Sequence, residues 1–194
     1  SGVYAANLPA GTCGTTLQWY VEAEASGGTW VQGSVGTASA PLSSIYAQDA
    51  VVLLNDDVEA VRGWVLNQGD TATAGRWVRG NPIGTTAQPE NSRSPVNCFF
   101  TGQGSVGGSL GEADVDGGRT HLMSPAYDFS DQGAATLEFW YWHSNNTGST
   151  PNEDPLLVQV SRDNGVSWVQ MDSINTNNNA WARRSYRLDA FVAL

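Results

Sequence analysis

The residues best suited to chemistry in this sequence are two groups of carboxylates. Asp56, Asp57 and Glu59 stand almost side by side, and Glu112, Asp114 and Asp116 alternate just ahead of Gly117-Gly118. Neighbouring carboxylates repel one another unless a cation or an arginine neutralises them. Calcium takes about six to eight oxygens from carboxylates, main-chain carbonyls and water, so such groups suit it. Acids at every second position of an extended segment point the same way, and the glycines allow carbonyls to turn inward. Asp56, Asp57, Glu59, Asp114 and Asp116 are therefore candidate calcium ligands, with a solvated acidic turn as the competing reading. Asp70 is a further candidate, although Gly69-Asp70 reads equally well as a turn.

A second kind of chemistry is suggested by the eight tryptophans. An exposed indole stacks on the C–H face of a sugar ring while amides and carboxylates bind its hydroxyls. Trp142, His143 and Asn145 lead from an aromatic run into a polar loop, and Trp181 follows Asn177-Asn178-Asn179. These four are the candidate ligand-binding residues. Most tryptophans in a small β domain serve packing, and Trp64, Trp77, Trp140 and Trp168 are assigned to it.

Catalytic signatures are missing. His121 and His143 are the only histidines, and neither sits in an HExxH-type spacing. No GxSxG occurs, and neither Cys13 nor Cys98 has a histidine beside it in sequence. Glu138 and Glu153 are an ordinary strand glutamate and an ordinary loop glutamate. Ser161-Arg162-Asp163-Asn164-Gly165-Val166-Ser167-Trp168 fits S-x-D-x-G-x-x-W, a hairpin in which Asp163 caps amides, Gly165 takes positive φ and Trp168 packs over the turn. It occurs once, without the period of a propeller blade. Asn145-Asn146-Thr147 is a glycosylation sequon.

Charge narrows the partners. The formal net charge is −10, and all nine basic residues are arginine. Such a surface repels phosphate backbones and anionic membranes, so neither nucleic acid nor membrane insertion is expected. No run approaches the ~20 apolar residues of a membrane span. Two cysteines can make one disulfide or remain free thiols.

The elements that must position these residues are short strands. Glycine-rich, charge-poor composition with many aromatic and β-branched residues points to an all-β chain. Residues 1–36 read as two or three strands: one over Val3–Pro9, one over Thr16–Ala25, then a turn at Ser26-Gly27-Gly28 and a return at Thr29-Trp30-Val31. Residues 37–49 are small and polar and read as a linker. Residues 50–194 open on Ala50–Leu54 and continue with strands near 64–66, 76–79, 98–101, 120–123, 135–142, 156–161, 168–172 and 182–188. Leu-Glu-Phe-Trp-Tyr-Trp at 137–142 marks the expected core.

A set of elements in the second region carries a resemblance: Asp56-Asp57-Val58-Glu59, Gly63-Trp64, Asp70–Trp77, Asn81-Pro82, Ala87–Glu90, Cys98–Gly102, Asp114–Thr120 and Leu122–Pro125. In order and spacing, over roughly residues 52–192, the region resembles the jelly-roll domains of MAM and carbohydrate-binding-module type found in secreted bacterial multidomain proteins, often attached to zinc carboxypeptidases. Residues 1–36 resemble the last strands of an immunoglobulin-like or fibronectin-like domain. The resemblance implies a jelly-roll-like antiparallel β-sandwich preceded by a partial immunoglobulin-like segment. It also implies a structural calcium between an early acidic strand and later loops, and a secreted or cell-surface location. The expected role is a non-catalytic accessory module that binds a glycan or surface polymer and works beside other domains of a longer parent chain. The resemblance leads one to expect further strands after Leu194, so an unpaired edge open to self-assembly, as in a structural or adhesive spacer, is the alternative expectation. A polysaccharide-active jelly-roll enzyme is a third reading.

Overall fold

The computed structural model describes residues 7–25, 29–32, 39, 41–46, 51–109, 111–147 and 150–194. Its elements are strands, with one single-turn 3-10 segment at Leu188–Ala190. The chain is therefore all-β, as the composition requires. It divides into two compact units, Ser1–Asn55 and Asp56–Leu194.

In the first unit, β1 (Thr16–Trp19) pairs antiparallel with β4 (Leu42–Ile45), and β2 (Glu22–Ala25) pairs with β3 (Thr29–Gln32). The single strand expected over Thr16–Ala25 is broken at Tyr20-Val21. Strand β4 falls inside the stretch read as a linker; its partner is β1, and Trp19 Nε1 donates to Ser44 Oγ at 2.9 Å across the ladder. Val3–Ala6 and the turn at 26–28 lie outside the described residues, and Asn7–Ala10 carries no strand. Val51–Leu54, despite its apolar character, is not a strand, and all four side chains are exposed.

The second unit contains β5 (Val65–Leu66), β6 (Trp77–Gly80), β7 (Cys98–Thr101), β8 (Leu122–Met123), β9 (Thr136–Tyr141), β10 (Leu156–Val160), β11 (Val169–Ile174) and β12 (Ala182–Arg187). Four antiparallel ladders result: β5–β8, β6–β7, β9–β12 and β10–β11. Period-two alternation decides what β9 and β12 bury. Phe139 and Tyr141 turn inward with Tyr186, while Glu138 and Trp140 turn outward with their cross-strand partners Ser185 and Arg183. The Phe139 ring lies 5.9 Å from Tyr186 and 6.5 Å from Tyr141, distances at which aromatic pairs attract.

Asp172 on β11 ties this ladder to β10–β11. It accepts the Tyr186 hydroxyl at 2.8 Å, and Arg184 Nε lies 3.5 Å away with its guanidinium over the Tyr141 ring. Ile174, 2% exposed, is the most deeply buried large side chain among the described residues. Its burial contributes about 1.5–3 kcal/mol. Leu188 N–H donates to Ala135 O at 2.8 Å and extends the β9–β12 pairing beyond the strands. Cys13 and Cys98 are both free thiols.

The hairpin between β10 and β11 is built as its motif requires. Gly165 N–H donates to Ser161 Oγ, Ser167 N–H and Oγ to Asp163, and Trp168 Nε1 to Gly165 O. Gly165 has φ +84°, and Trp168 lies against it. The two Ser167 bonds, with that from Ser161 Oγ, hold the Asp163 carboxyl down at about 2. Among the described residues, no helix is long and apolar enough to cross a membrane.

Candidate functional site

In the first acidic group, Asp56 and Glu59 are bound by the protein's own donors. Asp56 accepts Val58 N–H at 2.9 Å and Trp64 Nε1 at 2.8 Å, and Arg62 Nε lies 3.3 Å away. Trp64 in turn packs on Phe99, 5.0 Å between ring centres. Glu59 reaches along the chain to accept Val96 N–H and Asn97 N–H, each at 2.8 Å, and the Asn97 side-chain amide. These bonds, led by the one from the Asn97 main-chain N–H, hold its carboxyl below the usual range. Asp57 is exposed and accepts Glu59 N–H.

In the second group, Glu112 binds Ser105 through the hydroxyl and N–H, which lower its carboxyl. Asp114 accepts Val115 N–H at 3.0 Å. Burial, then the charges of Asp116 and Asp154, push its carboxyl up against that bond. Asp116 is exposed, and its carbonyl accepts Thr73 N–H at 2.8 Å. Gly75, at φ +63°, lets this segment pass: any Cβ there would collide with the Asp114 carbonyl. Among the described residues, no three His, Cys, Asp or Glu side chains are grouped to hold a metal ion. As placed, the five nominated carboxylates do not form one shared oxygen cage. Within the first group, N–H donors bind Asp56 and Glu59, and Arg62 lies beside Asp56.

Asp70 is the structural hub of this end of the unit. Its side chain is 1% exposed. It accepts Thr120 Oγ1 at 2.7 Å, His121 N–H at 2.8 Å and Arg76 Nε at 3.2 Å, with His121 Nδ1 at 3.1 Å. Burial opposes its ionisation, but these bonds outweigh burial and leave the carboxyl lowered. Its position after Gly69 gave only a turn signal, because Thr120 and His121 lie about fifty residues away in sequence.

The four nominated ligand-binding residues fall into two groups: Trp142 meets Trp181, while His143 and Asn145 bond to residues 154 and 175–177. Trp142 directly follows β9 and Trp181 directly precedes β12; their rings meet edge to face, 6.1 Å apart. Both indoles are pinned to one loop: Trp142 Nε1 donates to Ala87 O at 3.0 Å, and Trp181 Nε1 to Asn91 O at 3.3 Å. The His143 ring nitrogens face Thr176 O at 3.1 Å and Asp154 O at 3.3 Å. Asn145, 8% exposed, donates its amide to Asn175 Oδ1, and its N–H goes to Asn177 Oδ1. Asn152 receives Asn175 and Asn177 in turn. Asn145, the sequon asparagine, is thus committed to an asparagine network rather than presented to solvent.

Alternation extends the row beyond Trp142. Glu138, Trp140 and Trp142 occupy every second position, opposite Ser185, Arg183 and Trp181. Trp140, assigned to packing by sequence, is 46% exposed. Arg93, two residues past Asn91, lays its guanidinium over the Trp140 ring at 4.5 Å from the centre. Arg183 Nη1 lies 3.5 Å from Glu138, and Ser185 Oγ donates to the same carboxylate at 3.2 Å. The outward face of β9–β12 therefore carries a row of indoles, the last of them open, with arginine on it and beside it. The i, i+2 spacing of Trp140 and Trp142 was legible in the sequence; the arrival of Arg93 was not. Trp168, also assigned to packing, is 43% exposed at the β10–β11 turn.

Comparison of the chain with family models, curated proteins and solved structures finds no match.

Proposed function

We propose that the second unit is a non-catalytic binding module that takes a polysaccharide or other surface polymer on the outward face of β9–β12. The observation that carries this reading is Trp140: a large aromatic ring, nearly half exposed, held on a rigid strand pair beside two further indoles that are already anchored. An indole normally buries its apolar ring, so its exposure on an ordered strand suits a stacking partner. Trp142 and Trp181 hold the loop 87–91 against the row and so pre-organise the face, which lowers the ordering cost of binding. The likeness to carbohydrate-binding-module-type jelly rolls, carried by the elements from Asp56 to Pro125, supports the same reading.

The test is affinity electrophoresis against a panel of neutral and charged polysaccharides, with the intact chain and Trp140→Ala. The intact chain is expected to be retarded by at least one polymer, and the variant to lose about tenfold or more in affinity with unchanged melting temperature. Retardation unaltered by the substitution would place the binding elsewhere, and no retardation on any polymer would remove the reading.

A further inference from the structure

Resting on that reading, we propose that the polymer selected by this face is an anionic, carboxylate-bearing polysaccharide, with Arg93 as its principal charge partner and Arg183 as the second. The chain as a whole carries 19 acidic and nine basic residues. At Trp140 two arginines are present: Arg93 lies over the ring, and Arg183, the cross-strand partner, is paired with Glu138.

Arg93 differs from most of the other arginines. Arg62, Arg76, Arg183, Arg184 and Arg187 each have a carboxylate within 4.0 Å. Among the described residues, Arg93 has none; its contact is the face of an exposed indole. Stacking on the ring orients the guanidinium without consuming its N–H donors, and the side chain is exposed, so its fork is available to a carboxylate. A uronate ring lying along the row offers C–H faces to the exposed part of Trp140 and its carboxylate to Arg93.

The Arg183–Glu138 pair is set at 3.5 Å between side chains that are 56% and 47% exposed. Such a pair is weak in water, so a ligand carboxylate displaces Glu138 at little cost. Glu138 competes with a ligand carboxylate for Arg183, so removing its charge strengthens anion binding. The net charge of −10 acts against any polyanion at long range, so the selection must come from the local arginines.

The experiment measures binding of the full chain to polygalacturonate and alginate, and to methyl-esterified polygalacturonate, whose backbone is the same but whose charge is removed. The intact chain is expected to bind at least one of the two polyuronates about tenfold or more tightly than the ester, with affinity falling as salt rises. Arg93→Ala is expected to lose about tenfold on that polyuronate and little on the ester. Glu138→Gln is expected to tighten polyuronate binding, a gain that a merely structural glutamate would not show. Equal affinity for ester and acid, or an Arg93→Ala loss equal on both, overturns charge selection and leaves polymer binding standing. Absence of binding to all three, with a neutral polysaccharide bound instead, does the same. Absence of binding to every polymer overturns both readings.

Discussion

Asp70 offers the sharpest test of how the second unit is held together. Replacing it by alanine removes an enclosed carboxylate from four donors, and the structure says which of them suffer. Arg76 and His121 have side chains 51% and 43% exposed, so both recover water, and each lost pair costs about 0–1 kcal/mol. Thr120 Oγ1 can turn to Asn67 Oδ1, 3.1 Å away, and keep a partner. The His121 amide has no such alternative and loses a charge-assisted bond of about 1.5–3 kcal/mol. Relief of carboxylate burial offsets part of the total, leaving about 3 kcal/mol of destabilisation for Asp70→Ala. Asp70→Asn keeps an acceptor for the amide and is expected to lose about half as much. The lowered carboxyl pKa fixes the sign with pH. Its contribution is present above the unfolded value of about 3.9 and is lost as pH falls through the lower folded value, so the gap between wild type and variant narrows in acid. Urea unfolding followed by tryptophan fluorescence, at about pH 7 and about pH 3, measures both effects. A variant within about 0.5 kcal/mol of wild type at neutral pH, or a gap that widens in acid, would refute the reasoning.

Tyr186→Phe tests the tie between the two ladders. It deletes the 2.8 Å bond to Asp172 and is expected to cost about 1 kcal/mol, less than a full orphaning because Arg184 stays beside that carboxylate; an unchanged urea midpoint would contradict it. Burial first, and then the bond to Asp172, push the Tyr186 phenol up. Its contribution is therefore complete below the unfolded value of about 10 and is lost as pH rises through the folded one. Absorbance titration should show this tyrosine ionising only as the unit unfolds, and an early, reversible ionisation would refute the placement. In the β10–β11 hairpin, the Ser167 amide resonance should titrate with the Asp163 carboxyl at about 2, losing its bond as pH falls, and a midpoint near the ordinary aspartate value of about 4 would show that the turn is not formed.

What the residues alone determined was local. Alternation and turn chemistry located most strands of the second unit to within a few residues, and the hairpin motif at 161–168 specified its own hydrogen bonds, because every partner lies within four positions. The same local logic does not report partners that come from elsewhere in the chain. Asp56 and Glu59 look like cation ligands when read side by side, yet Trp64, Arg62 and the distant Asn97 supply their donors. Leu42–Ile45 looks like linker until β1 pairs with it, and Val51–Leu54 looks like a strand that has no such partner among the described residues. Only the tertiary fold decided which face of β9 is outward and brought Arg93 across to Trp140 from a loop that carries no signal of its own. Pattern can report which residues share a face, because that follows from the two-residue period of a strand. It cannot report what covers the face, because closing a loop of some fifty residues depends on contacts that leave no local trace.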